Sequence, residues 1–245
     1  MMNVLLNGAC GRMGKEVEKL VEASDELNMV AKVDKMANES GVYTDINDFG
    51  GNADVIIDFS NHLGTKELLD YAVKTGTPTV VCTTGHTDEE LEIINKASEK
   101  VAIFRSANMS LGVALLVDLA KQTASVMPDA DIEIVETHHN RKLDAPSGTA
   151  LLIADAIKSV RDKAKYVFGR SGHAPREKNE IGIHAVRRGN VVGIHEVLVS
   201  TDNQTITLKH EAHSRALFAE GAISAAEFIK GKPAGMYDMN SIIEG

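Results

Sequence analysis

The chain of 245 residues contains no tryptophan, four tyrosines and six phenylalanines, so it offers no aromatic platform on which nucleobases could stack. Positive charge is also short. There are 26 Lys and Arg against 35 Asp and Glu, a formal net charge of -9, and the basic residues are dispersed, which excludes non-specific attraction to nucleic acid or anionic membrane. No apolar run approaches the roughly 20 residues of a membrane span. The opening Met1-Met2-Asn3-Val4-Leu5-Leu6 lacks a cationic stretch and runs straight into a strand pattern, so no signal peptide is expected. Two cysteines, Cys10 and Cys82, both lie in apolar contexts and read as reduced packing residues rather than a disulfide. Internal repeats, low-complexity segments and Gly/Ser linkers are missing too. The expectation is a cytoplasmic protein able to bury one large core or two small ones.

The first hundred residues alternate strands with helices. Val4-Leu5-Leu6 is a short buried-strand pattern, followed by Gly8-Ala9-Cys10-Gly11-Arg12-Met13-Gly14 and an amphipathic stretch carrying Met13, Val17, Leu20 and Val21 on one face. A second strand, Met29 to Val33, ends at Asp34. Strand, glycine-rich turn, helix, strand and acid is the setting in which a dinucleotide fingerprint becomes credible. Gly8 suits a tight turn, Gly11 lets backbone approach a pyrophosphate, Gly14 permits close helix–strand packing, and Asp34 can accept from a ribose. Cys10 occupies the second glycine slot of the usual fingerprint. Asp34 favours the 2′-hydroxyl of NADH, whereas Lys35 beside it could pair with the 2′-phosphate of NADPH, so both cofactors stay open.

The alternation continues with a strand at 54–59, a helix from His62 to Lys74 stopped by Gly76, and a strand at 79–82. Thr87 and Glu90 form a capping box ahead of the next helix, and a strand at 101–104 exits through Ser106-Ala107-Asn108-Met109. Such a chain folds as a Rossmann-type, doubly wound parallel sheet with ligands outside the strand C-termini. Phe59-Ser60, Thr83-Thr84 and Ala107-Asn108 are therefore candidates for the nicotinamide end. After residue 110 the pattern changes. A helix over 110–126 leads to an alternating strand at 131–136, a helix from Ala150, a polar stretch 158–180 read as a loop, and strands at 181–186, 191–199 and 205–211. A helix is expected over 212–229, then a compact apolar tail. This is a second α+β domain with a mixed open sheet. One sheet face has no helix to cover it, which suggests a homo-oligomer.

The densest chemistry is Glu136-Thr137-His138-His139-Asn140-Arg141-Lys142-Leu143-Asp144-Ala145-Pro146-Ser147-Gly148-Thr149-Ala150. Ser147 reads as an N-cap, so the N–H groups of Gly148 and Thr149 make a ready anion site. Adjacent histidines on a strand point to opposite faces and do not share one metal ion, and Ser147 lies outside a nucleophile elbow. No metal is expected. A His and a Lys four residues apart suit proton transfer on a bound anion.

Glu136-x-His138-His139-x-x-Lys142-x-Asp144-Ala145-Pro146-Ser147-Gly148-Thr149-Ala150 resembles the signature of the 4-hydroxy-tetrahydrodipicolinate reductase (dihydrodipicolinate reductase) family of the diaminopimelate–lysine pathway. The resemblance runs the whole length, through Gly8-x-x-Gly11-Arg12-Met13-Gly14, Ile57-Asp58-Phe59-Ser60, Thr83-Thr84-Gly85, Ser106-Ala107-Asn108-Met109-Ser110, Arg188-Gly189-Asn190 to His195-Glu196, and His213-Ser214-Arg215 to Ala222. It implies His138 as catalytic acid/base, Lys142 as proton donor, and His139, Gly148 and Thr149 as the grip on substrate carboxylates. It implies that Gly8, Ala9, Cys10, Gly11, Arg12, Met13, Asp34, Cys82, Thr83, Thr84, Ser106, Ala107, Asn108 and Met109 bind NADH or NADPH, beside Lys35 as the candidate named above. Cys82 stands where the family has Gly. The implied domains are 1–109 with 220–245 for the dinucleotide, and 110–219 for a dicarboxylate substrate and assembly as a homotetramer. Closure on binding both ligands is expected. The rival readings are another two-domain nicotinamide dehydrogenase and a dinucleotide-binding redox sensor without turnover.

Overall fold

The structure, a computed structural model, describes residues 1–245. The first elements are β1 (Met2–Asn7), α1 (Arg12–Glu22), β2 (Leu27–Val33), β3 (Val55–Asp58), α2 (Thr65–Thr75), β4 (Thr79–Val81), α3 (Asp88–Ser98) and β5 (Ala102–Arg105). Then come α4 (Leu111–Val126), β6 (Asp131–His138), α5 (Gly148–Lys158), β7 (Lys165–Phe168), β8 (Glu180–Arg187), β9 (Gly193–Thr201) and β10 (Gln204–Ala212). The chain closes with α6 (Ala216–Ile229), β11 (Gly235–Tyr237) and α7 (Met239–Glu244). Two compact units result, Met1–Ser110 with Ala216–Gly245, and Leu111–Arg215. The chain re-enters the first unit at Ala216, the first residue of α6, rather than inside that helix at residue 220.

The first unit is a six-stranded sheet in the order β11-β5-β4-β3-β1-β2, parallel at every pairing. Its strands read as continuous apolar runs because both faces are covered. On one face Leu5, Ile56, Val81 and Ile103 meet Leu68, Leu69 and Ala72 of α2 and Ile94 of α3. On the other, α6 packs against α1 and across β3, β4 and β5, using the small buried residues Ala219, Ala222, Ala225 and Ala226. The tail is tied to this unit through edge-to-face contacts of Phe228 with Phe104 and Tyr237. Gly76 ends α2 with φ 67°, a left-handed conformation that favours glycine, and Thr87 with Glu90 caps α3 reciprocally. The expected helix from His62 is in fact a 3-10 turn, His62–Gly64, with the α-helix starting at Thr65.

The second unit is a five-stranded mixed sheet, β10-β9-β6-β8-β7. β6 pairs antiparallel with β9 and parallel with β8. Ile132, Ile134, Ile181, Ile183, Val197 and Val199 form the core with Ala120 and Ala124 of α4 and Ile153 and Ile157 of α5. Two expectations fail here. The stretch 158–180 is not all loop, because Lys165–Phe168 pairs with β8 as an edge strand. Ala212 belongs to β10, where it pairs with Gly193, so the polar His213-Ser214-Arg215 separates this strand from α6. No helix of the chain is long and apolar enough to cross a membrane.

Candidate active site

In the first unit the glycine loop lies between the exits of β1 and β3. A Cβ on Gly8 would stand 2.5 Å from the Phe59 carbonyl oxygen, and one on Gly14 would stand 2.2 Å from the Gly8 oxygen. Only hydrogen fits at either position, which is the close packing a dinucleotide turn requires. Beside the loop is a cavity of about 410 Å³ lined by Gly8, Gly11, Asp34, Lys35 and Ser60 among others. A second cavity, of about 630 Å³, is lined by Arg12, Met13, Cys82, Thr83, Thr84, Ser106, Ala107, Asn108 and Met109, and also by Ser60. Ala9 and Cys10 line neither; Ala9 is buried, and the Cys10 N–H donates to Asp34 Oδ2 at 3.0 Å. Burial, then the Asp34 charge, push the Cys10 thiol up. At Cys82 the backbone N–H donates to the Asp58 carbonyl at 2.9 Å, and burial pushes its thiol well up. Neither thiol is an activated nucleophile.

Asp58, 1% exposed, clips these strand exits together. Its Oδ1 accepts from Asn7 Nδ2 at 2.8 Å and Ser60 Oγ at 2.6 Å, and its Oδ2 accepts from Thr83 Oγ1 at 2.7 Å. Burial pushes the carboxyl up, and these neutral donors offset that only in part. His62, whose Nδ1 is 2.9 Å from Glu90 Oε2, also lines the second cavity. Glycines without room for a Cβ, a carboxylate at the end of β2, and hydroxyls at the β3 and β4 exits together fit a nicotinamide dinucleotide.

In the second unit one face of β6 changes character along its length. Ile132 and Ile134 enter the core, and two residues at a time the same face continues as Glu136 and His138, because side chains alternate on a strand. Glu136 is wholly buried. Its Oε2 lies 2.6 Å from His138 Nδ1 and 2.7 Å from Arg187 Nη1. Its Oε1 accepts from Arg187 Nη2 at 2.8 Å and from the Ser147 N–H at 3.0 Å. Burial favours a protonated carboxyl, yet the bonds from His138, Arg187 and Ser147 outweigh it and hold Glu136 down to about 2. An ionised carboxylate only accepts, so His138 carries its proton on Nδ1 and presents Nε2.

The turn after β6 is fastened from both sides. Asn140 N–H donates to Gly189 O, and Arg188 N–H to His138 O; Arg187 Nη2 reaches the Asp144 carbonyl at 2.7 Å. Lys142 Nζ lies 2.9 Å from Asp144 Oδ1. Ser147 caps α5 as read from the sequence, its Oγ accepting from Ala150 N–H, so Gly148 and Thr149 form the first turn. The same Oγ is 3.2 Å from His195 Nε2. His195 stacks edge-to-face with His138 at 5.1 Å between ring centres, and burial, then the His138 charge, push its imidazole down to about 4. His139 is lowered as well, by burial and then by the charges of Arg141 and Arg215.

Sequence reading missed Glu136, Arg187, His195 and Asp58 as site residues. Glu136 was detectable as the same-face neighbour of His138 two positions away. Arg187 had no local signal, since it faces His138 only through the β6–β8 register. No cluster of His, Cys, Asp and Glu here could hold a metal ion.

Comparison with known proteins bears on both units. Residues 2–109 match the family Dihydrodipicolinate reductase, N-terminus, and residues 112–243 match Dihydrodipicolinate reductase, C-terminus. The 4-hydroxy-tetrahydrodipicolinate reductase of Caldanaerobacter subterraneus subsp. tengcongensis is 46% identical over 100% of this chain and 99% of its own. That of Clostridium tetani is 43% identical over 99% and 97%. Among solved structures, the dipicolinate-bound dihydrodipicolinate reductase of Paenisporosarcina sp. TG-14 superposes with a TM-score of 0.83 at 24% identity, covering 98% of this chain and 99% of that one. The chain therefore belongs to the dihydrodipicolinate reductase family, NADH- or NADPH-dependent oxidoreductases of lysine biosynthesis.

Proposed function

We propose that the chain reduces 4-hydroxy-tetrahydrodipicolinate to tetrahydrodipicolinate, with His138 as acid/base and Lys142 as proton donor. When bound, the reduced nicotinamide supplies the hydride. Gly8, Gly11 and Asp34 take the adenosine side of the dinucleotide, in the cavity that Lys35 also lines, and Arg12, Met13, Thr83, Thr84 and Asn108 take the nicotinamide side. His139 and the α5 entrance at Gly148 and Thr149 hold the substrate carboxylates, where N–H groups and the helix dipole favour an anion. Glu136 fixes the tautomer of His138, so proton exchange with substrate runs through Nε2. The Lys142 ammonium supplies a proton and a fixed positive charge at the same site. Hydride transfer requires the two ligands to meet in the productive complex. Cytoplasmic location and a homotetramer built on the second unit's sheet belong to the same reading.

The observation that carries it is the Glu136–His138 pair beside a capped helix entrance, on a chain whose other unit is shaped for a dinucleotide. The test is oxidation of NADH and NADPH in parallel, with the condensation product of aspartate semialdehyde and pyruvate as substrate. Substrate-dependent oxidation is expected, with inhibition by dipicolinate, the ligand of the Paenisporosarcina enzyme. Turnover with neither cofactor would sink the reading in favour of another dehydrogenase.

A further inference from the structure

Lys35 follows Asp34 at the exit of β2, where a lysine could receive the 2′-phosphate of NADPH. In the fold that cation is already engaged. Its ammonium pairs with the carboxylate of Glu67, in the first turn of α2, and both residues line the cavity that contains Asp34. We propose that Glu67 selects the dinucleotide, and that by occupying Lys35 it makes the chain prefer NADH to NADPH. The proposal rests on reading this cavity as the adenosine end.

The charged side chains lining the cavity are two acids, Asp34 and Glu67, and one base, Lys35. A 2′-phosphate brings about -1.5 to -2 more charge. To receive it, Lys35 has to leave Glu67, and the released carboxylate stays in the same cavity. Asp34 cannot swing aside, because its Oδ2 accepts from the Cys10 N–H and its Oδ1 from the Met36 N–H at 2.9 Å. That fixed carboxylate keeps lone pairs for a 2′-hydroxyl, a neutral donor that disturbs nothing.

The surrounding cations offer no substitute. Lys15 pairs with Glu18 and Glu39, Lys32 pairs with Glu18, and Arg12 lines the other cavity. Asp45 adds negative charge near Lys35; its carboxyl is held down by the Asn47 N–H first and by the Lys35 charge to a smaller extent. An exposed pair such as Lys35–Glu67 contributes little to stability, but selection does not depend on the strength of the pair. With the pair intact the phosphate lacks a cation, and with it broken the phosphate meets a second carboxylate.

The test is isothermal titration calorimetry of the full chain with NADH and with NADPH, without substrate, at fixed ionic strength. The wild-type chain is expected to bind NADH more tightly. Glu67→Gln should leave the NADH Kd within about twofold and tighten NADPH about tenfold, the scale of one unscreened charge contact. Lys35→Ala should change NADPH binding little in the wild-type background and erase the gain in the Glu67→Gln background. An unchanged NADPH-to-NADH ratio in Glu67→Gln overturns the proposal. So does a wild-type preference for NADPH that Lys35→Ala abolishes. Because no dicarboxylate is present, the reductase reading can fail in its own assay while this ratio still responds, and the reverse.

Discussion

Each unit holds one carboxylate that water scarcely reaches, Asp58 at 1% exposure and Glu136 at 0%, yet the two are driven in opposite directions. Asp58 is surrounded by an amide, two hydroxyls and a backbone N–H, and burial wins, pushing it up. Glu136 faces a guanidinium and an imidazole, and they win, holding it at about 2. Burial alone does not decide the charge of a carboxylate; the charge of its donors does. The first unit uses its acid as a clip between strand exits, whereas the second uses its acid as a permanent charge that fixes a proton's position.

This contrast can be broken by substitution. The largest effect is expected from Glu136→Gln, which leaves the half-buried Arg187 without its counter-ion and should cost about 3 kcal/mol of unfolding free energy in denaturant titrations. Adding Arg187→Met should recover part of that loss; strict additivity of the two would show that they do not act as a pair. Next, His138→Gln and Lys142→Ala should each lower kcat by about 10²-fold, with the Kd for NADH unchanged. Near-normal turnover in either variant removes that residue from proton transfer. Asp58→Asn should cost only about 1 kcal/mol, since all its partners are neutral and one donor alone is left unmatched; a loss as large as that of Glu136→Gln would erase the distinction between clip and charge.

The smallest effect is on pH dependence, and its sign differs between the carboxylates. Glu136 is depressed in the fold, so its contribution is present above the ordinary value of 4.5 and is lost as pH falls toward about 2. His195 is depressed too, from 6.5 to about 4; it stays neutral in the fold, so protonation in the unfolded chain removes stability as pH falls from 6.5 toward 4. Asp58 is raised above 3.8, so its ionisation works against the fold as pH climbs past that value. Stability measured against pH should therefore flatten between 6.5 and 4 in His195→Gln, by at most about 1.4 kcal/mol per pH unit. Asp58→Asn should instead remove a component of opposite slope. Equal slopes in all the variants would contradict the opposed directions.

Much of this architecture was legible because it is local. The apolar runs at Val4-Leu5-Leu6 and Val55-Ile56-Ile57, the Thr87–Glu90 box and the Ser147 cap all lie within a few residues of what they determine. What escaped depends on long-range pairing. Lys165–Phe168 is a strand only because β8 offers it an edge, and its half-exposed residues carry no clear period. Glu136 and Arg187 are 51 residues apart, and Lys35 and Glu67 are 32 apart; sequence supplies the charges, while the sheets and helices decide which of them meet.

The order of the chain also has a consequence for its synthesis. β5 is made before the second unit, but its neighbour β11 follows it, with Gly235 pairing with Ala102. A growing chain therefore cannot complete the first sheet until all of Leu111–Arg215 has left the ribosome. The unit in the middle of the sequence has the chance to fold first, against the usual N-terminal lead. Until α6 arrives, the part of the sheet face that it covers across β3, β4 and β5 stays open beside α1, a stage exposed to aggregation.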